Sequence, residues 1–86
     1  MTSDAAILYG TSGCHLCEHA DALLHDLQRQ GHALRWAYTD ISGDDALFAR
    51  YGLRIPVLRL SSGEELDWPF DGSQVLAALR RQASTE

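Results

Sequence analysis

The feature that most constrains the fold is a pair of cysteines three positions apart, Cys14 and Cys17. They are the only cysteines in the chain, and they follow a short apolar run and open a segment with helical spacing. One helical turn brings such positions onto the same face, with Cβ atoms ~5–6 Å apart. Because bridged Cα atoms are usually ~4.4–6.8 Å apart, a modest local tightening permits a disulfide. The pair can therefore open and close without unfolding the chain, as thiol–disulfide exchange requires.

Length and composition predict one small globular domain over residues 1–86, with a hydrophobic content of 45% that is normal for such a fold. No apolar run approaches the ~20 residues of a membrane span, and residues 1–4 lack the basic and apolar regions of a secretory signal. We therefore expect a cytoplasmic protein without a membrane partner. In the cytosol a disulfide is more often catalytic or sensing than structural, because thiols there are kept reduced.

The charge distribution excludes one class of partner. The chain carries a net charge of -5, from seven arginines and 12 acidic residues, and it has no lysine. The arginines are scattered along the sequence. Because binding to a phosphate backbone needs a concentrated basic face, we expect no nucleic-acid partner, and the acidity is typical of a soluble protein.

Hydrophobic periodicity predicts the element order strand, helix, strand, helix, strand, strand, helix. A strand over residues 5–9 is followed by an amphipathic helix whose apolar positions run from Leu16 to Leu27, and which ends near Gly31. Next come a strand over 34–38, a short helix that closes at Gly52, and strands over 56–60 and 64–68. The last helix begins at residues 71–73, with an inner face of Val75, Leu76 and Leu79.

Connections between these elements predict how the sheet is built. The first strand, helix and second strand form a crossover unit, so these strands should be parallel and the crossover right-handed. The turn at 61–63 predicts an antiparallel hairpin at the other side of the sheet. The sequence therefore predicts an α/β fold with a four-stranded mixed sheet and helices on both faces.

Two motifs carry a family resemblance. The first is Leu8-Tyr9 followed by Gly13-Cys14-His15-Leu16-Cys17 at a helix start, and the second is Tyr51-Gly52-Leu53-Arg54-Ile55-Pro56-Val57-Leu58. With these motifs and this element order, nearly the whole chain resembles the thioredoxin superfamily, and specifically its small glutaredoxin-like proteins. The resemblance implies a thioredoxin-like fold, a cis bond before Pro56, and thiol–disulfide oxidoreductase activity with a dithiol mechanism.

Each cysteine then has an expected role. Cys14 would lie at the first helical turn, where unpaired N–H groups and the helix dipole stabilise a thiolate, so we assign it as the attacking nucleophile. Cys17 would lie one turn deeper and resolve the mixed disulfide. His15 follows the nucleophile directly and, if protonated, would favour the thiolate; the alternative is a solvent-exposed histidine without a role.

Other residues are candidates for partner binding. A cis bond before Pro56 would expose the Ile55 backbone beside Cys14, where an extended partner segment can pair with it; the alternative is a proline that opens a strand near an edge. Tyr9 is a candidate to line the groove around the sulfur, unless it belongs to the core. At the start of the last helix, Asp71, Gly72 and Ser73 could bind a glutathione carboxylate. The alternative is that they serve as an ordinary helix cap.

The expected partners are a disulfide-containing protein or a glutathione mixed disulfide, and a thiol or flavin reductase. No metal or tightly bound cofactor is expected, glutathione is a candidate reductant, and the protein is expected to be a monomer. Two alternatives remain: a thioredoxin-fold interaction or redox-sensing domain without turnover, and a zinc or iron–sulfur module. Spacing disfavours zinc, which needs four converging ligands, because His25 lies roughly 12 Å along the helix from Cys17.

Overall fold

The computed structural model describes residues 5–84; residues 1–4, where the sequence predicts no secretory signal, lie outside them. The elements follow the predicted order: β1 Ala5–Gly10, α1 His15–Arg29, β2 Arg35–Asp40, α2 Asp45–Tyr51, β3 Val57–Arg59, β4 Glu65–Asp67 and α3 Gly72–Ser84. The strands β3 and β4 are shorter than the predicted 56–60 and 64–68, and β1 and β2 continue past their predicted ends. Within residues 5–84 no helix is long and apolar enough to cross a bilayer.

The four strands form one mixed sheet in the order β2-β1-β3-β4, which confirms the predicted α/β class. Strand β1 is parallel to β2 and antiparallel to β3, and the register places Tyr9 opposite Val57. The sheet therefore has one end at which β1 and β2 finish and β3 begins, called here the site end. The backbone N–H of Trp68 donates to the carbonyl of Pro56 over 3.2 Å, so the segment after β4 also lies at the site end.

Helices cover both faces of the sheet, as predicted. Helices α1 and α3 pack on one face around a buried cluster that includes Leu8, Leu24 and Leu58. Helix α2 packs on the opposite face, where Tyr51 contacts a second cluster with Tyr9 and Val57. Alternation along β1 explains the division, because successive side chains of a strand point to opposite faces.

The inner face of α3 contains the three predicted residues and one more. Val75 and Ala78 are fully buried, whereas Leu76 and Leu79 are only partly buried and pack at the margin of the core. The two helices on this face approach closely, since a Cβ added at Gly72 would lie only 3.2 Å from Leu27 Cδ2.

A polar network ties the segment after α2 to the hairpin. The Tyr51 hydroxyl donates to Glu65 over 2.6 Å, and the Arg54 guanidinium donates to Glu65 over 2.8 Å and to Asp67 over 2.7 Å. The hydrogen bond from Tyr51, then those from Arg54, lower the pKa of Glu65 from 4.5 to about 2. The network fixes the residues that lead into Pro56, and no local pattern in the sequence predicts it.

Candidate functional site

The two cysteines are joined as a disulfide at the site end of the sheet, with Cα atoms 5.2 Å apart. Cys14 is the N-cap of α1, and its sulfur accepts a hydrogen bond from the backbone N–H of Cys17 over 3.1 Å. Gly13 enters this turn with φ +79°, a left-handed conformation that only glycine adopts at little cost. The chain thus delivers Cys14 Sγ to the first turn of a helix, where amide groups favour an anion.

The cysteines differ in exposure. Cys17 is completely buried, because it begins the buried stripe of α1 that continues with Ala20, Leu24 and Leu27. Cys14 lies before the helix and is partly exposed. A partner can therefore reach the sulfur of Cys14 but not that of Cys17. This is the arrangement in which one thiol exchanges with a partner and the second closes the ring.

Tyr38, which belongs to no recognised sequence motif, lies close to Cys17 across a space above Gly10. A Cβ added at Gly10 would lie 2.6 Å from the Tyr38 hydroxyl oxygen and 3.0 Å from Cys17 Sγ. The Tyr38 hydroxyl donates to the carbonyl of Thr11 over 3.1 Å, in the loop before Cys14. Only the sheet register reveals this proximity, because Tyr38 lies on β2, opposite Leu8 of β1.

A groove of about 560 Å³ leads away from the loop before Cys14, between α1 and β2. Its charged lining has three carboxylates and two basic side chains, from Glu18, Asp21, Asp40, His25 and Arg29. Hydrogen bonds from the backbone and hydroxyl of Ser42 lower the pKa of Asp40, so that this group stays ionised. The groove is therefore better suited to a neutral or basic partner segment than to an anion.

His15 lies at the surface, whereas Pro56 lies in the interior. The His15 side chain is 89% exposed, and its Nδ1 lies 3.8 Å from the Glu18 carboxylate. The Ile55–Pro56 bond is cis, and Pro56 is fully buried. The N–H of Ile55 donates to the carbonyl of Tyr51 over 3.0 Å. The expectation that the whole Ile55 backbone is free for a partner is thus corrected for its N–H. The Ile55 carbonyl accepts no hydrogen bond within residues 5–84.

Tyr9 lies in the core rather than at the sulfur. It is only 5% exposed, and its ring stacks on Tyr51 with centroids 4.2 Å apart, on the α2 face of the sheet. Cys17 projects from α1 on the other face. The expectation that Tyr9 lines a groove around the sulfur is thus corrected, because strand alternation turns it away from α1.

The start of α3 is occupied by its own cap. The Asp71 carboxylate accepts from the Gln74 N–H over 2.9 Å and from the Ser73 hydroxyl over 3.1 Å, and the Gln74 side chain accepts from the Asp71 N–H over 2.8 Å. These hydrogen bonds to its carboxylate lower the pKa of Asp71. Gly72 packs against Leu27. Asp71 and Ser73 therefore cap the helix, and an anionic carboxylate stands where a glutathione carboxylate was expected.

A search of residues 5–84 for metal sites finds no group of three or more histidine, cysteine or acidic side chains that converge as ligands. With both cysteines in the disulfide, thiolate ligands require reduction of the pair first. The site in this structure is a disulfide between Cys14 and Cys17.

Comparison with known proteins places this geometry among similar chains. Residues 5–80 match the family described as Glutaredoxin-like domain (DUF836). Protein XcR50 from X. campestris is 42% identical, and its X-ray structure matches with a TM-score of 0.74 over 88% of this chain and 96% of that one. Protein Ne2328 from Nitrosomonas europaea is 32% identical, with a TM-score of 0.73 over 92% and 93% of the two chains. A malarial protein of 13% identity and TM-score 0.70 shares the fold alone. No curated protein matches.

Proposed function

The chain belongs to the glutaredoxin-like domain family, and on this premise we propose that it is a thiol–disulfide oxidoreductase with a dithiol Cys14/Cys17 mechanism. One observation carries the proposal: an accessible sulfur at the N-cap of α1 is bonded to a second sulfur that is completely buried. A structural staple needs no such difference in exposure. A catalytic pair does, because the partner must meet one sulfur first.

The reaction runs in two exchanges. In the reduced protein the Cys14 thiolate attacks a sulfur of the partner disulfide; the Cys14–partner bond forms, and the other partner sulfur leaves with the electron pair and takes a proton. Cys17 then loses its proton and attacks Cys14 Sγ, which releases the second partner thiol and closes the Cys14–Cys17 bond. The partner gains two electrons, and the dithiol is oxidised. A thiol protein or a flavin-dependent reductase then supplies two electrons and reduces the Cys14–Cys17 disulfide back to the dithiol.

The surroundings of the site support a protein as the electron donor rather than glutathione. Asp71 places a carboxylate of lowered pKa at the start of α3, and the adjoining groove is lined with further carboxylates. Glutathione carries two carboxylates and one ammonium group, so its net charge is negative and an excess of carboxylates around the site does not favour it. We therefore propose that a thiol protein or a flavin reductase restores the dithiol.

Exposed apolar side chains support a protein as the disulfide partner too. Leu16 lies between the two cysteines and is 48% exposed, and Leu53, in the segment that leads to Pro56, is fully exposed. We take both leucines as candidate contacts for a polypeptide partner, Leu16 because it lies between the cysteines and Leu53 because it lies three residues before the cis-proline. A folded or extended polypeptide would cover them when it forms the mixed disulfide.

The dithiol proposal is tested with Cys14→Ser and Cys17→Ser, which are matched because each removes one sulfur and the same disulfide. Reduction of insulin by the wild type, with dithiothreitol as the terminal reductant, should be lost in Cys14→Ser. Cys17→Ser should accumulate a mixed disulfide with insulin that mass spectrometry detects. Wild-type turnover in Cys14→Ser would contradict the proposal.

Two measurements separate the alternatives. In the reduced protein at neutral pH, iodoacetamide should modify Cys14 much faster than Cys17, and equal, slow rates would favour an interaction or sensing domain. Stoichiometric zinc that is released on thiol oxidation would favour the metal module. For the electron donor, recovery of the dithiol is followed with NADPH and either thioredoxin reductase with thioredoxin or glutathione reductase with glutathione. Faster recovery with glutathione would contradict the proposed donor.

A further inference from the structure

The resolving step places an unusual demand on Cys17. It must become a thiolate, yet its side chain is completely buried, and burial in apolar surroundings disfavours the charged form. Within residues 5–84 no carboxylate or imidazole hydrogen-bonds to Cys17 Sγ. A hydrogen-bond donor near Cys17 Sγ would lower the free-energy cost of the charge that develops there.

The Tyr38 hydroxyl lies near this sulfur, across the space above Gly10. The point 2.6 Å from the Tyr38 oxygen and 3.0 Å from Cys17 Sγ is empty because residue 10 is glycine. The distance between the Tyr38 oxygen and Cys17 Sγ is therefore at most the sum of these two distances, and a single water can bridge such a gap. We propose that the Tyr38 hydroxyl donates a hydrogen bond, directly or through one water, to the Cys17 thiolate as it resolves the mixed disulfide. This inference rests on the dithiol function proposed above.

The surroundings of Tyr38 keep it a donor. Partial burial, then the negative charges of Asp40 on the same strand and of Asp21 and Glu18 on α1, raise the pKa of Tyr38 above its ordinary 10.0. The phenol thus keeps its proton at neutral pH. His25 and Arg29 are the basic side chains that line this groove. His25 lies 3.3 Å from Asp21, and Arg29 lies 2.7 Å from Asp26.

In the disulfide state the Tyr38 hydroxyl donates its hydrogen bond to the carbonyl of Thr11. When the mixed disulfide forms on Cys14, the Cys17 proton passes to solvent, and the Tyr38 hydroxyl turns from Thr11 to the thiolate. Cys17 then attacks Cys14 Sγ, the bond to the partner breaks, and the partner sulfur leaves with the electron pair and is protonated by water. Tyr38 keeps its own proton and returns to Thr11, so the step consumes no further reagent.

The test follows both sulfurs separately. Reduced protein is mixed with excess dithiobis(nitrobenzoate) in a stopped-flow instrument; the attack of Cys14 releases one thionitrobenzoate, and the attack of Cys17 releases the second. Tyr38→Phe removes only the hydroxyl. Loss of a hydrogen bond to a charged sulfur should slow the second release roughly tenfold at neutral pH and move its pH dependence up by about one unit. The first release should be unchanged.

Two further variants complete the experiment. Trp36→Phe is the matched control, because it also removes a donor from the same face of β2. The N–H that it removes donates to Asp21 over 2.8 Å and not to the sulfur. Gly10→Ala fills the space with a methyl group and should slow the second release as Tyr38→Phe does.

Three results would contradict this account. An unchanged second release in Tyr38→Phe would overturn the role of the hydroxyl. Equal slowing of both releases would overturn it as well, because Tyr38 would then act through the Thr11 carbonyl on the loop before Cys14. A wild type that releases a single equivalent would contradict the dithiol function itself, and it is recognised before any variant is compared.

Discussion

The acid sensitivity of folding should be controlled by Glu65. This carboxylate is mostly covered, with 15% of its side chain exposed, and hydrogen bonds from Tyr51 and Arg54 lower its pKa from 4.5 to about 2. A group whose pKa is lower in the folded state stabilises the protein above the unfolded pKa, and this contribution is lost as the pH falls through the folded pKa. The relevant window is therefore pH 4.5 down to pH 2.

Linkage gives the size of the effect. At 1.36 kcal/mol per pKa unit, the ionised Glu65 contributes about 3 kcal/mol to the free energy of unfolding at pH 6. The same relation leaves about 1.4 kcal/mol at pH 3 and under about 0.5 kcal/mol near pH 2. Because the neutral amide introduced by Glu65→Gln resembles a protonated carboxyl group, the difference in stability between the wild type and this variant should shrink along the same curve.

The assay is urea denaturation of the oxidised protein at a series of pH values, followed by far-UV circular dichroism. Glu64→Gln is the control, since Glu64 is the neighbouring acid and pairs with Arg81 at the surface; its substitution should cost less than about 1 kcal/mol at pH 6. A Glu65→Gln deficit that is equally large at pH 6 and pH 2, or that is no larger than that of Glu64→Gln at pH 6, would refute the reasoning.

Three further substitutions probe the core, a helix cap and the exposed surface. Leu24→Ala, at a fully buried position, should lower the free energy of unfolding by ~2–5 kcal/mol; a loss below ~1 kcal/mol in urea denaturation would contradict this packing. Asp71→Ala should cost ~1 kcal/mol through loss of the α3 cap, and an unchanged urea midpoint would contradict the capping role. Leu53→Ser should leave stability within ~0.5 kcal/mol but lower kcat/KM for insulin reduction, and an unchanged kcat/KM would exclude Leu53 from partner contact.

Much of the fold could be predicted because its signals are local. The apolar stripe of α1 and the turn at Gly63, which has φ +98°, each depend on neighbouring residues, so the element order follows from them. The start of α2 is local as well, since the side chain of its N-cap, Asp44, accepts from the N–H of Leu47 three residues later. The predicted inner face of α3 is incomplete: Val75, Leu76 and Leu79 pack in or against the core, and the buried Ala78 also belongs to it.

The sequence by itself determined the reactive pair, because two cysteines one helical turn apart after a strand can bond wherever that helix lies. It also determined which sulfur is accessible, since Cys17 continues the apolar stripe of α1 and Cys14 precedes it. Only the tertiary structure decided that Tyr9 turns to the α2 face and that the Tyr38 hydroxyl and Cys17 Sγ both border the space above Gly10. These contacts join residues from different strands and a helix, so they depend on sheet order and register, which no local pattern of side chains encodes.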